Sequence, residues 1–175
     1  IMDAGAHGVI VPMVNSASDA RQAVEAVRYP PEGRRGVGLA RAQGYGSSFE
    51  SYRQWLNQES VVIAQVEHIE AVNNLEAILA VEGVDGFIVG PYDLSASLGV
   101  PGQFDHFSVK DAMDKIQSVG IDSDKAAGIH VIEPDVEEVR QRVGEGYSFV
   151  AYSLDIRMLD SACRSGVDAI LGEIR

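Results

Sequence analysis

Apolar runs alternate with amphipathic stretches along the whole chain. Five short runs rich in β-branched or aromatic residues are typical of buried parallel strands, at residues 7–14, 61–67, 84–90, 125–131 and 148–153. Stretches with apolar positions at helical spacing lie between and after them, at residues 18–27, 49–57, 70–81, 108–119, 134–145 and 155–165. This alternation predicts a parallel α/β fold.

Two architectures fit the alternation, a doubly wound open sheet and a (β/α)8 TIM barrel. No G-x-G-x-x-G follows a strand and no G-x-x-x-x-G-K-[ST] occurs, which weakens the nucleotide-binding forms of the open sheet. Polar residues at the carboxyl ends of successive strands favour the barrel, whose sites are assembled from all its strand ends. These residues are Asn15, Gln65, Glu67, Asp93, His130 and Ser153.

The barrel expected from this pattern is incomplete. A full barrel has eight strands and about 250 residues, whereas this chain has 175 residues. Residues 1–6 resemble the end of a helix that stops at Gly5, so the missing part is expected at the amino terminus. We therefore expect residues 1–175 to form a single domain, the carboxyl-terminal two-thirds of a TIM barrel with about five βα units.

The composition limits the classes of partner and the compartment that fit this chain. Hydrophobic residues make up 46% of the chain, enough for a packed core, and the formal net charge is −12, a poor match to nucleic acid or an anionic membrane. Cys163 is the single cysteine, so no intramolecular disulfide forms and a cytoplasmic location is expected. Neither a signal peptide nor a membrane-spanning run is found in this sequence.

Two carboxylates follow neighbouring predicted strands. Glu67 closes the run that begins with Val61-Val62-Ile63-Ala64, and Asp93 follows the run 84–89 within the segment Gly90-Pro91-Tyr92-Asp93-Leu94-Ser95. Side chains that leave the same end of adjacent parallel strands, about 4.8 Å apart, can converge on one ion. Two oxygen ligands completed by water suit Mg²⁺ or Mn²⁺. The alternative is that each carboxylate only caps the helix that follows it.

Several segments in one order resemble the HpcH/HpaI class II aldolases, metal-dependent pyruvate aldolases of the phosphoenolpyruvate/pyruvate barrel superfamily. The segments are Met2 to Met13, Arg28 to Gly38, Gln65-Val66-Glu67, Val81 to Gly86, Gly90 to Ser95 and Leu98-Gly99.

The resemblance implies roles for particular residues. Glu67 and Asp93 match the ligands of the divalent metal, which would be Mg²⁺, Mn²⁺ or Co²⁺. Gln65 matches a residue that binds the pyruvate moiety, and the backbone around Pro91, Tyr92 and Asp93 matches the segment that contacts its carboxylate. Asp3 matches the aspartate that raises the basicity of the catalytic histidine.

The chain also departs from the family pattern. The catalytic histidine and the arginine that stabilises the enolate both precede the segment that matches Met2, and none of the four histidines matches that histidine. Tyr92 occupies a position that is often small in the family, which affects pocket size. Arg34 and Arg35 lie in a matching loop and are expected only to brace it or to be solvated.

The implied activity is reversible aldol cleavage of a 2-keto-3-deoxy or 4-hydroxy-2-oxo acid to pyruvate and an aldehyde. One alternative is an acyl-CoA lyase of the citryl-CoA or malyl-CoA type, although CoA binding would favour a basic groove that this acidic chain does not indicate. Another is a non-catalytic, truncated barrel that binds a metal and a keto acid. By resemblance, a homo-oligomer, trimeric or hexameric, is expected.

Overall fold

Each predicted apolar run contains a strand that is one to four residues shorter than the run. The computed structural model describes residues 1–174. The strands are β1 (Gly8–Val11), β2 (Val61–Val66), β3 (Gly86–Val89), β4 (Ala126–Val131) and β5 (Phe149–Tyr152).

Helices connect the strands. They are α1 (Ala17–Val27), α2 (Phe49–Glu59), α3 (Ile69–Asn73), α4 (Leu75–Leu79), α5 (Pro91–Ser97), α6 (Phe107–Ile116), α7 (Val136–Gly144) and α8 (Asp155–Ile174). Short 3₁₀ turns span Met2–Ala4 and Arg41–Gly46, and a π-helical turn, Gln117–Ile121, extends α6. Gly5, with φ of 96°, ends the first turn as expected for a helix stop.

The strand order decides between the two architectures. All neighbouring strands are parallel and the sheet runs β1-β2-β3-β4-β5, so each strand pairs with the next one along the chain. A doubly wound sheet reverses its order at a switch point, whereas a barrel adds strands in sequence. The five strands curl into a half-barrel, which confirms the incomplete (β/α)8 barrel.

The two faces of the sheet have different environments. Alternate residues of β2 to β4 pack with the helices in the hydrophobic core, and these are Val62, Ala64, Val66, Phe87, Val89, Ala127 and Ile129. The intervening residues, such as Ile63, Gln65 and Ile88, lie on the opposite face because side chains alternate along a strand. In a closed barrel that opposite face is the interior, so we call it the inner face.

The predicted helix at 70–81 is wrong as a single element. It is two short helices, α3 and α4, separated at Asn74 with φ of −108° and ψ of 9°. The Asn74 side chain donates a hydrogen bond of 2.8 Å to the carbonyl of Asn15, beyond β1. This tertiary contact accompanies the break, and the apolar spacing alone does not reveal it.

The final helix is longer than predicted, since α8 continues to Ile174. Among residues 1–174, no helix combines the length and apolar character needed to cross a bilayer.

Candidate active site

The carboxyl ends of β2, β3 and β4 place three residues in one row on the inner face. Val66 pairs with Val89, and Val89 pairs with Ile129. One residue further along each strand, Glu67, Gly90 and His130 therefore lie level with one another. Since Val66, Val89 and Ile129 belong to the core, the row that follows them faces the barrel interior.

Glu67 is the buried carboxylate of this row, with 5% of its surface exposed. Its Oε1 accepts a hydrogen bond of 2.9 Å from the backbone N–H of Met13, in the loop after β1. Its Oε2 accepts a hydrogen bond from the side-chain amide of Gln65, two residues earlier on the same face. The carboxylate is therefore held by two donors from two strand ends, and both donors are uncharged.

Gly90 leaves room for these two side chains. A Cβ at residue 90 would lie 3.0 Å from Oε2 of Glu67 and 3.2 Å from Nε2 of Gln65. Its φ of −101° is open to any residue, so the absence of a side chain serves space rather than backbone conformation. Gly90 thus forms an open floor beside the carboxylate.

Asp93 lies in the first turn of α5 and is exposed, unlike Glu67. Pro91 is the first residue of that helix, a position in which the missing N–H costs nothing. The hydroxyl of buried Ser95 donates a hydrogen bond of 2.7 Å to the Tyr92 carbonyl and accepts one of 2.9 Å from the Gly102 N–H. This serine fixes the segment that carries Asp93 against the following loop.

Tyr92 is 50% exposed and stands at the rim of this segment. Its ring makes an edge-on contact with Phe104, with the centroids 4.9 Å apart. Both rings border a cleft of about 510 Å³ between α6 and α7 that also reaches Pro91 and His130. That cleft contains neither Glu67 nor Asp93, so it adjoins the carboxylate site without enclosing it.

The donor set around Glu67 fits a hard divalent cation. Each Glu67 oxygen has accepted one hydrogen bond and keeps a lone pair. Among the described residues no Lys, Arg or His forms a salt bridge with Glu67, and burying an unpaired carboxylate is unfavourable. Residues 1–174 contain no group of three or more His, Cys, Asp or Glu placed to hold a metal. Glu67 and Asp93 would therefore need water or substrate oxygens to complete a coordination sphere, as Mg²⁺ and Mn²⁺ accept.

Asp3 lies in a different setting. Its Oδ1 pairs with Nη2 of Arg35 at 2.5 Å, and its side chain is 62% exposed. The Arg35 side chain is only 7% exposed, lies over the Tyr29 ring at 4.7 Å and donates 3.1 Å to the Tyr52 hydroxyl. Burial disfavours the charge, but the hydrogen bonds with Asp3 and Tyr52 outweigh it and raise the pKa of Arg35. Arg35 braces the loop, as the sequence predicts, and also contacts Asp3, which it does not.

Each of the four histidines makes a structural contact. His68 caps α3 through a hydrogen bond of 3.2 Å from the Glu70 N–H to its Nδ1. His106 caps α6 in the same way. His130 lies 3.3 Å from the Ser153 carbonyl through Nε2. His7 packs edge-on against Trp55, with ring centroids 5.2 Å apart.

The amino-acid sequence alone does not reveal two features of the site. The Met13 donor is a backbone group, so no residue type indicates it. The role of Gly90 has a weak signal, since a glycine directly before proline at a strand end often marks a close approach.

Comparison with known proteins identifies the family. The HpcH/HpaI aldolase/citrate lyase family matches residues 1–162, and the chain belongs to this family. The hydroxypyruvate/pyruvate aldolase of Roseobacter denitrificans is 44% identical over 161 residues, covering 91% of this chain and 62% of the relative. The 2-keto-3-deoxy-L-rhamnonate aldolase of Shigella dysenteriae is 40% identical over 164 residues, covering 93% and 60%.

The fold agrees with solved members. A HpcH/HpaI aldolase/citrate lyase family protein from Burkholderia cenocepacia superposes with a TM-score of 0.88 at 36% identity, covering 97% of this chain and 66% of the other. The chain spans about three-fifths of the length of the curated relatives, 62% and 60%.

Proposed function

We propose that these residues form the metal-binding and keto-acid-binding part of a class II aldolase. The reaction would be reversible cleavage of a 2-keto-3-deoxy or 4-hydroxy-2-oxo acid into pyruvate and an aldehyde. The observation that carries this proposal is the buried Glu67 carboxylate, which has no cationic partner among the described residues and lies beside Gln65 above an open floor.

Each site residue has a separate role in this proposal. Glu67 and Asp93 would hold Mg²⁺, Mn²⁺ or Co²⁺, whose Lewis acidity would stabilise the enolate formed when the carbon–carbon bond breaks. The Gln65 amide, held by Glu67, would donate to the keto acid. Backbone N–H groups at the start of α5 would face the substrate carboxylate, while Pro91 and Tyr92 shape its pocket.

Asp3 would support the histidine base, which the family resemblance places before residue 2. The Asp3 carboxylate retains lone pairs while bound to Arg35, so it can orient an imidazole N–H. The relatives named for hydroxypyruvate, pyruvate and 2-keto-3-deoxy-L-rhamnonate support the keto-acid class. The acyl-CoA lyase alternative gains no support from these names.

A homo-oligomer belongs to the same proposal. Several apolar side chains of α8 are more than half exposed, and burial between copies would remove them from water. They are Ile156, Leu159, Val167, Ile170 and Leu171.

The first test is Mn²⁺ binding measured by the loss of the free-ion signal in electron paramagnetic resonance. Glu67→Gln should weaken binding more than about 100-fold, because outer-shell partners alone are worth 10–100-fold. Asp93→Asn should also weaken it. Glu70→Gln is the matched control, since Glu70 is exposed three residues from Glu67 and should leave binding unchanged.

Pyruvate release from a 4-hydroxy-2-oxo acid with added Mn²⁺ completes the test. Wild-type binding of Mn²⁺ that Glu67→Gln does not alter would contradict the proposal. Metal and pyruvate binding without turnover would favour the non-catalytic alternative for residues 1–175.

A further inference from the structure

The chain leaves β1 through a proline and then through a residue with an uncommon backbone conformation. β1 ends at Val11, and Pro12 has no N–H with which to continue the ladder to β2. Met13 follows with a left-handed φ of 54°, which is uncommon for a residue other than glycine. Met13 is 51% exposed, so burial of its side chain does not explain this conformation. Such a φ persists only where the surrounding contacts determine it.

The N–H of Met13 donates to a side chain rather than to the strand ladder. It lies 2.9 Å from Oε1 of Glu67, 54 residues further along the chain. Since φ is the rotation about the bond between N and Cα, it sets the direction of this N–H relative to the residues that follow. An extended or right-handed Met13 would turn the N–H away from Glu67 while those residues stayed in place.

The residues that follow Met13 are anchored. Val14 is 1% exposed and belongs to the hydrophobic core. The N–H of Asn15 donates 3.1 Å to the Asp19 carboxylate, and its carbonyl accepts 2.8 Å from the Asn74 side chain. Because β1 is held by its pairing with β2, Met13 connects two fixed parts of the chain. The direction of its N–H is therefore set by the fold.

Met13 differs from the other left-handed residues in what its N–H contacts. Of the residues that the structure describes, three other than glycine have a left-handed φ, namely Met13, Tyr45 and Ser153. The N–H of Tyr45 donates 2.9 Å to the Ala40 carbonyl. The N–H of Ser153 donates 2.7 Å to the Val131 carbonyl. Of these three residues, Met13 is the one that donates to a carboxylate.

We infer, on the basis of the proposed function, that Met13 is a positioning residue of the metal site and acts through its left-handed backbone. Its hydrogen bond to Oε1 holds the Glu67 carboxylate in one orientation, so a divalent ion does not have to order that carboxylate on binding. The exposed side chain of Met13 has no part in this role. The requirement at position 13 is therefore for a residue that tolerates a left-handed φ.

Mn²⁺ binding to a series of Met13 variants tests this role, with the free-ion signal in electron paramagnetic resonance giving the dissociation constants. Met13→Gly and Met13→Asn should bind Mn²⁺ as tightly as wild type, because both residues tolerate a left-handed φ. Met13→Val should bind about tenfold more weakly, because a β-branched residue disfavours that conformation and the outer-shell donor is lost. Urea denaturation without metal measures the stability of each variant.

Tyr45→Val is the matched control. Tyr45 has the same φ of 54°, but it lies in the Arg41–Gly46 turn, which packs on α2 and on the Met2–Ala4 turn. This variant should lower the urea midpoint, as Met13→Val does, and leave the Mn²⁺ dissociation constant unchanged. Wild-type affinity in folded Met13→Val would overturn the inference but not the metal site, and an equal loss in Met13→Gly and Met13→Val would overturn it too. Absence of Mn²⁺ binding by wild type would contradict the proposed function as well.

Amide hydrogen exchange in the wild type, followed by nuclear magnetic resonance, gives a second measurement that needs no variant. If losing the Met13 hydrogen bond weakens metal binding about tenfold, metal binding must stabilise that hydrogen bond by the same factor. Saturating Mg²⁺ should therefore slow exchange of the Met13 N–H about tenfold and leave the Tyr45 N–H unchanged. An exchange rate of the Met13 N–H that Mg²⁺ does not alter would overturn the inference.

Discussion

Glu67 and Asp3 are both candidate site carboxylates, but they are stabilised in opposite ways. Glu67 is 5% exposed and is held by a backbone N–H and an amide, without a cation among the described residues. The Asp3 side chain is 62% exposed and is paired directly with the buried guanidinium of Arg35. The more buried charge is therefore the one that lacks a protein counter-ion.

This difference supports the proposed division between a metal-binding carboxylate and a supporting one. A buried carboxylate held only by neutral donors is poised for an external cation, since a cation offsets the desolvation of the charge. A carboxylate that already has a guanidinium partner gains little from a metal. It can instead orient a neighbouring group. The roles proposed for the two residues follow from their counter-ions.

Removing Arg35, the ion-pair partner of Asp3, should have the largest effect on stability. Arg35→Met removes the ion pair, the hydrogen bond to Tyr52 and the contact with Tyr29, and should lower the free energy of unfolding by about 3 kcal/mol. Urea denaturation of the metal-free chain measures this change. Arg34→Met is the control: the Arg34 side chain is 77% exposed, and its loss should be nearly neutral. Equal effects would show that Arg35 is not a structural centre.

Replacing Glu67 should change the stability of the chain only when Mn²⁺ is bound. In the metal-free chain, Glu67→Gln should be neutral or slightly stabilising, because it removes an uncompensated buried charge. At a Mn²⁺ concentration one hundred times the wild-type dissociation constant, wild type should gain about 2.7 kcal/mol and the variant at most about 0.4 kcal/mol. Thermal unfolding with and without Mn²⁺ measures both. A large loss in the metal-free variant would mean that Glu67 has a structural role.

The sequence predicts the barrel better than it predicts these counter-ions. Strand periodicity and carboxylates at strand ends are local properties of the sequence. The strands β2 and β3, and the positions of Glu67 and Asp93 after them, can therefore be predicted from it. The contact between Arg35 and Asp3 spans 32 residues, and the Met13 donor is a backbone group 54 residues from Glu67. Both depend on tertiary structure. The break between α3 and α4 at Asn74 is missed for the same reason, since the Asn74 side chain donates a hydrogen bond to the loop after β1.

Gly90→Ala tests whether space beside Glu67 matters. The new Cβ would lie 3.0 Å from the carboxylate, so the side chain must move by a few tenths of an ångström. We expect Mn²⁺ affinity to fall about tenfold, the lower end for a changed outer-shell contact. The fold should remain intact because φ is ordinary. Gly36→Ala, with no atom within 4 Å of its Cβ, should leave affinity unchanged. The same affinity in both variants would remove Gly90 from the site.

Tyr147 provides a smaller test, away from the site, of the cost of burying a charge. Its buried hydroxyl becomes an anion at high pH. Burial raises its pKa to about 12, and Arg142, which would lower it, is already paired with Glu138 and Glu145. The unfolded chain ionises near pH 10, so the full stability is present below pH 10 and falls as the pH rises towards 12. The loss at pH 11 should be about 1 kcal/mol. Tyr147→Phe lacks this dependence, and the difference between the two unfolding curves isolates it from other titrating groups. Parallel curves would mean that the Tyr147 hydroxyl ionises as readily in the folded chain as in the unfolded chain. Burying a charge without a counter-ion would then cost little in this protein, which would weaken the argument drawn from Glu67 and Asp3.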